Sequence, residues 1–132
     1  MRILAISGSL RAASSNTAVL KAAQRLAPAD LEVVLYDGLG RLPHFNPDLD
    51  QGEPPLAVQA LRRHVGRCDG LLICCPEYAH GVPGVLKNAL DWLVASVEFP
   101  GKPVALINAS PQARHAPAQL RETLEVMGAR LG

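Results

Sequence analysis

Three segments of this chain place hydroxyl, amide, aromatic and charged side chains directly after short apolar runs. The first is Ser7-Gly8-Ser9-Leu10-Arg11-Ala12-Ala13-Ser14-Ser15-Asn16-Thr17. It follows a buried-type run and opens a helical pattern. A helix start offers unpaired N–H groups and a partial positive charge, so it binds phosphate. Ser9, Ser14, Ser15, Asn16 and Thr17 add neutral donors, and Arg11 adds a full charge in fork geometry. One cation without Gly-Lys-Ser/Thr suits a terminal monophosphate better than a magnesium-bound triphosphate. Gly-x-Gly-x-x-Gly is also absent, which argues against a Rossmann pyrophosphate site. The plainer alternative is a serine-capped helix beside a solvated arginine.

The second segment is Pro76-Glu77-Tyr78-Ala79-His80-Gly81-Val82-Pro83-Gly84, running into Val85-Leu86-Lys87-Asn88-Ala89-Leu90-Asp91-Trp92. Backbone groups in such a loop can pair with the edge of a flat heterocycle, and Tyr78 offers a face or a hydroxyl. Glu77 and Lys87 are candidates for an ion pair across the loop base. His80 reads as a loop histidine whose backbone matters, rather than as a proton-transfer group. Asp91 and Trp92 read as structural or interfacial. The third segment, Asn108-Ala109-Ser110-Pro111-Gln112-Ala113-Arg114-His115, is placed to form a third wall.

The elements that must position these segments follow from periodicity. Continuous apolar runs at 2–6, 31–36, 70–75 and 103–109 suit strands buried on both faces of a parallel sheet. Helical patterns fall at 15–27, 54–66, 83–96 and 117–128. The first carries Val19, Ala23 and Leu26 on one stripe, the second Val58, Leu61 and Val65, and the last Leu120, Leu124, Met127 and Leu131. The third pairs a Leu86-Leu90-Leu93-Val97 face with a Val85-Ala89-Trp92 face. That stripe is wider than one sheet contact requires, so part of it is expected to meet another subunit. The strand–helix alternation implies right-handed crossovers with helices on both faces of the sheet. All three segments then lie beyond the carboxyl ends of strands, where open α/β sheets bind ligands. The connection at 37–53, rich in Pro, Gly, Asn and Asp, is long enough to be functional or a partner contact.

Composition narrows the function classes. A length of 132 residues indicates one domain, residues 1–132, and 48% apolar with 19% charged residues indicates a soluble globular one. A net charge of +1 gives no basis for binding nucleic acid or an anionic membrane. Cys68, Cys74 and Cys75 read as small buried hydrophobes in a reducing compartment, with Cys74 and Cys75 on opposite strand faces. No secretory leader or membrane span is read in the chain, so the expected location is the cytoplasm. His44, His64, His80 and His115 lack ligand spacing, so no metal is expected. Gly-x-Ser-x-Gly is absent, which disfavours a serine hydrolase.

Two motifs carry a resemblance over nearly the whole chain: Gly8-Ser9-Leu10-Arg11-x-x-Ser14-x-Asn16, and Pro76-Glu77-Tyr78-x-x-x-x-Pro83-Gly84-x-Leu86-Lys87-Asn88-x-x-Asp91-Trp92. In both, the chain resembles the NADPH-dependent FMN reductase family, with its quinone, azo-dye and chromate reductase relatives. The resemblance implies a flavodoxin-like three-layer α/β/α sandwich with strand order 2-1-3-4-5. Against that pattern the chain departs twice. Its third segment is poorer in glycine, and the fifth strand and final helix read as missing, so that the chain is C-terminally truncated and the fourth strand a bare edge. The resemblance further implies that Ser9, Arg11, Ser14, Ser15 and Asn16 hold the FMN phosphate. It implies that Pro76, Glu77, Tyr78, Ala79, His80 and Gly81 line the flavin ring, with Ser110 nearby. The implied activity is hydride transfer from NADPH or NADH through FMN to a quinone, flavin or similar acceptor, with no obligatory side-chain acid or base. A homodimer or homotetramer is expected. The alternative is a non-enzymatic flavin-binding electron carrier or redox-responsive module.

Overall fold

Strands with apolar residues at successive positions can satisfy both faces only at the centre of a layered fold. The computed structural model describes residues 1–11, 14–110 and 112–132. Ala12, Ala13 and Pro111, which belong to the first and third segments, lie outside the described residues. The elements run β1 (Arg2–Ser7), α1 (Ser15–Leu26), β2 (Glu32–Leu35), α2 (Leu56–Arg67), β3 (Gly70–Cys74), α3 (Gly84–Val94), β4 (Pro103–Ile107), α4 (His115–Val126) and β5 (Arg130–Leu131). The sheet is parallel, in the order β2-β1-β3-β4-β5. This is the flavodoxin-like order that the motifs implied.

The fifth strand is present, contrary to the expectation of a missing one. Arg130 pairs with Pro103 and Leu131 with Val104. Gly128 ends α4 at φ 91°, a conformation that favours glycine, and its carbonyl accepts the Gly101 N–H at 2.8 Å. Two residues are too few for any periodicity to mark them, which is why the pattern passed over this strand. The first two residues of β4 are therefore not a bare edge.

The main core lies on one face of the sheet. There Leu4, Ile6, Leu71 and Ile73 meet Val58, Leu61 and Val65 of α2, Leu86, Leu90 and Leu93 of α3, and Leu120 and Leu124 of α4. The opposite face packs Ala5, Val33 and Cys74 against Leu20 of α1. Cys74 and Cys75 belong to different faces, as alternation requires. On α1 the expected stripe is rotated. Leu20 is buried while Leu26, the last residue of the helix, is 83% exposed.

Part of the wide stripe of α3, the Val85-Ala89-Trp92 face, is covered within the chain, while Val97 of the other face is exposed. Ala89 and Trp92 are fully buried beneath the 37–53 connection. The Trp92 indole N–H donates to the Pro43 carbonyl at 2.8 Å, and its ring meets Phe45 edge-on at 4.9 Å. The Asn88 amide donates to the same carbonyl at 2.9 Å and accepts the Phe45 N–H at 2.8 Å. Arg62 of α2 closes the far end with a two-pronged ion pair to Asp50, both contacts at 2.8 Å. Asn88→Ala removes both amide contacts and leaves the Phe45 N–H without its partner. It is expected to cost about 1–3 kcal/mol in urea denaturation and to speed proteolysis within 37–53.

Candidate functional site

The carboxyl ends of β1, β3 and β4 bring the three segments together. The first leaves β1 through Gly8, whose N–H donates to the Cys74 carbonyl at 2.9 Å. A Cβ on Gly8 would stand 2.5 Å from the Cys75 Cβ, so only glycine fits. Beyond it the hydroxyls organise the loop. Ser7 Oγ accepts from the Ser9 N–H at 3.3 Å and the Thr17 hydroxyl at 3.1 Å, and Ser9 Oγ accepts from the Arg11 N–H at 3.2 Å. Ser14 caps α1, accepting the Asn16 and Thr17 N–H groups at 3.1 and 3.4 Å. A hydroxyl held through its oxygen still has a proton to donate. Arg11 is exposed, and the four ion pairs among the described residues do not involve it.

A cleft of about 300 Å³ lies between the segments. Ser15 and Asn16 form one wall, Pro76 and Glu77 the second, and Ala109, Ser110 and Gln112 the third. Five of the expected site residues thus share one cavity. Ser9, Arg11, Ser14 and the Tyr78–Gly81 turn are not among its lining residues. Ser9 lines a neighbouring hollow with Tyr36 and Leu39. Tyr78, Ala79, His80 and Gly81 form a tight turn beside the cleft.

That turn is strained and held by its neighbours. Tyr78 and Gly81 exchange both backbone hydrogen bonds, at 3.1 and 2.9 Å, while Ala79 and His80 sit at φ 50° and 62°. Non-glycine residues pay about 1–3 kcal/mol for such a conformation. Helix α4 secures both flanks. Glu77 accepts the Ala116 N–H at 2.7 Å, and Gln119 accepts the Val82 N–H at 2.8 Å. His80 also stacks on His115, with ring centres 4.0 Å apart.

The expected Glu77–Lys87 ion pair does not form. Lys87 instead meets Asp91 one helical turn away at 2.7 Å. Helix α4 has no side-chain cap of its own at Arg114, so Glu77 supplies one across the fold. The Ala116 N–H bond holds the Glu77 carboxyl below the usual carboxylate range, with His115 and His80 adding to it. Burial pushes the Cys75 thiol up to about 11, reinforced by Cys74 and Glu77, so it is not a nucleophile at neutral pH. Sequence reasoning missed Gln119, whose role depends wholly on where α4 docks, and the contact from Cys74 to Asn16 described below.

The family model for NADPH-dependent FMN reductases matches residues 1–131. The chain belongs to that family. It is 40% identical over 129 residues to an NAD(P)H-dependent FMN reductase of Pseudomonas aeruginosa, covering 94% of this chain and 69% of that protein. It is 37% identical over 113 residues to a quinone reductase of Escherichia coli, covering 83% of this chain but 60% of that one. The chain therefore spans about two thirds or less of the length of these curated relatives. Among solved structures it is similar to a flavoenzyme NAD(P)H:(acceptor) oxidoreductase of Paracoccus denitrificans. The two share 35% identity with a TM-score of 0.90, over 99% of this chain and 74% of that one.

The residues present fit a flavin mononucleotide. A buried amide, hydroxyls and a helix start suit a phosphate, and the Pro76–Gly81 backbone suits a ring edge. The depressed Glu77 carboxyl contributes its charged contact above the ordinary Glu value of about 4.3 and loses it as pH falls through its lower folded value. Glu77→Gln is expected to raise amide exchange at Ala116 at neutral pH. It should also reduce the acid sensitivity of that exchange seen in the parent protein.

Proposed function

We propose that the chain binds FMN in this cleft and passes reducing equivalents from NADPH or NADH to a small acceptor such as a quinone or free flavin. The observation that carries the reading is the meeting of Asn16, Pro76–Glu77 and Ser110 in one cleft, in a member of an FMN reductase family. FMN, when bound, supplies the redox chemistry by accepting hydride from the nicotinamide and releasing electrons to the acceptor.

The chain's own residues bind and orient. Ser9, Ser14, Ser15 and Asn16 provide neutral donors for the phosphate, and Arg11 provides its counter-charge. Pro76, Glu77, Tyr78, Ala79, His80 and Gly81 line the ring. The backbone bonds between Tyr78 and Gly81 engage those four groups, which leaves the peptide groups at Ala79 and His80 to meet the ring edge. Ser110 completes the third wall. The turn is held rigid by α4, so the ring meets a surface that does not need to reorganise. Residues 1–132 act as one FMN-binding domain.

The proposed acceptor class follows the quinone reductase relatives. A homodimer or homotetramer is proposed on the exposed apolar side chains at the end of α3, where Val94 is 63% and Val97 89% exposed. Sedimentation of the flavin-loaded protein as a monomer alone at micromolar concentration counts against it. A cytoplasmic location is proposed on the three free cysteines. No helix among the described residues is long and apolar enough to cross a membrane.

Anaerobic NADPH or NADH is expected to bleach the flavin absorbance of the loaded protein, and a quinone to restore it. Bound FMN that neither nicotinamide bleaches would indicate a carrier rather than a reductase. Arg11→Ala is expected to weaken FMN binding by about 1.5–3 kcal/mol in a fluorescence-quenching titration.

A further inference from the structure

Among the described residues three polar side chains are buried: Ser14, Asn16 and Ser96. Of these only Asn16, 6% exposed, lines the cleft. A carboxamide has two ends of opposite character, an acceptor oxygen and a nitrogen with two donors. Which end faces an anion decides whether the residue attracts or repels it. The backbone of Asn16 is held by the Ser14 cap, but that bond leaves the amide free to turn over.

A second contact removes that freedom. Cys74, at the end of β3, is fully buried, and its thiol donates to Asn16 Oδ1 at 3.1 Å. Around the thiol the sheet face carries Ala5, Leu20 and Val33, which have no side-chain polar atoms to compete. We propose that Cys74 is a positioning residue for the cofactor site: its S–H holds the Asn16 amide with oxygen toward the sheet and nitrogen toward the cleft. The inference rests on the FMN reading of that cleft. It gives the buried cysteine a role that needs the thiol proton and no redox step. Burial pushes the Cys74 thiol above its ordinary value, so the proton is retained at neutral pH. A serine at this position keeps the donor, whereas an alanine removes it at little change in volume.

The test is titration of the flavin-free protein with FMN, followed by flavin fluorescence, with a melting curve for each variant. Cys74→Ala is expected to weaken FMN binding by about 3- to 10-fold, and Cys74→Ser to stay within about 2-fold of the parent. In an Asn16→Ala background Cys74→Ala should cause no further loss, because the amide it orients is gone. Asn16→Asp keeps the acceptor for the thiol but presents oxygen to the anion, and is expected to bind more weakly than Asn16→Ala. This last pair carries the test should Cys74→Ala fail to fold. Unchanged affinity in Cys74→Ala, additive losses in the double variant, or Asn16→Asp binding like the parent each overturns the positioning role. If Asn16→Ala itself binds FMN normally, the positioning role falls while FMN binding stands; a parent protein that binds no FMN overturns the FMN reading itself.

Discussion

β1 and β3 can lie close enough to merge their loops only because Gly8 has no side chain. Ser7 and Cys74 are register partners, and the Gly8 N–H continues the ladder by one bond to the Cys74 carbonyl. A methyl group there would overlap the Cys75 Cβ and press on Leu86 at 3.3 Å. The first loop would then swing away from the second, and α1 with it. The shared cleft, the access of Asn16 to it and the contact with Cys74 all depend on this approach. Close packing makes such a constraint stiff, because neither strand can yield without disturbing the core beneath it.

Two helices then divide the work of holding the loops. α3 carries Asn88 and Trp92, which clamp the 37–53 connection by both donating to the Pro43 carbonyl, with Asn88 also accepting the Phe45 N–H. α4 carries the Ala116 N–H and Gln119, which clamp both flanks of the 76–83 loop. The second loop is thus fastened to the helix that the third loop feeds, so two walls of the cleft share one support. That attachment offsets the strain at Ala79 and His80. An unfastened loop of this sequence would relax out of the left-handed region, since neither residue is glycine. The Glu77 carboxylate gains from the same arrangement, because a helix start rich in unpaired N–H groups is a favourable place for negative charge.

Much of this was legible in the residues. Strands and helices appeared where apolar periodicity placed them, since burial on a sheet is a strong local signal. The main face of α2, at Val58, Leu61 and Val65, and the alternation of Cys74 and Cys75 came out as read. The stripe of α3 was read as wider than one sheet contact requires, and the Ala89–Trp92 part of it is covered by the 37–53 connection. Pro43 lies 49 positions from Trp92 and Phe45 lies 43 from Asn88, beyond the reach of a local periodicity window. The rotated stripe of α1 has a similar cause: which face of a helix is buried depends on docking as well as on its own pattern.

By itself the sequence determined the alternating element order, hence a parallel sheet with its loops gathered at one end, and a first loop chemically suited to a monophosphate. These follow from short-range spacing and from the few ways such elements can pack. Tertiary structure decided which partner each polar group takes. Glu77 found the start of α4, 39 positions away, instead of the nearer Lys87. The Asn16 amide received its orientation from a thiol 58 positions away. Hydrogen bonds act over about 3 Å, so they are settled only after packing has brought distant residues within that range.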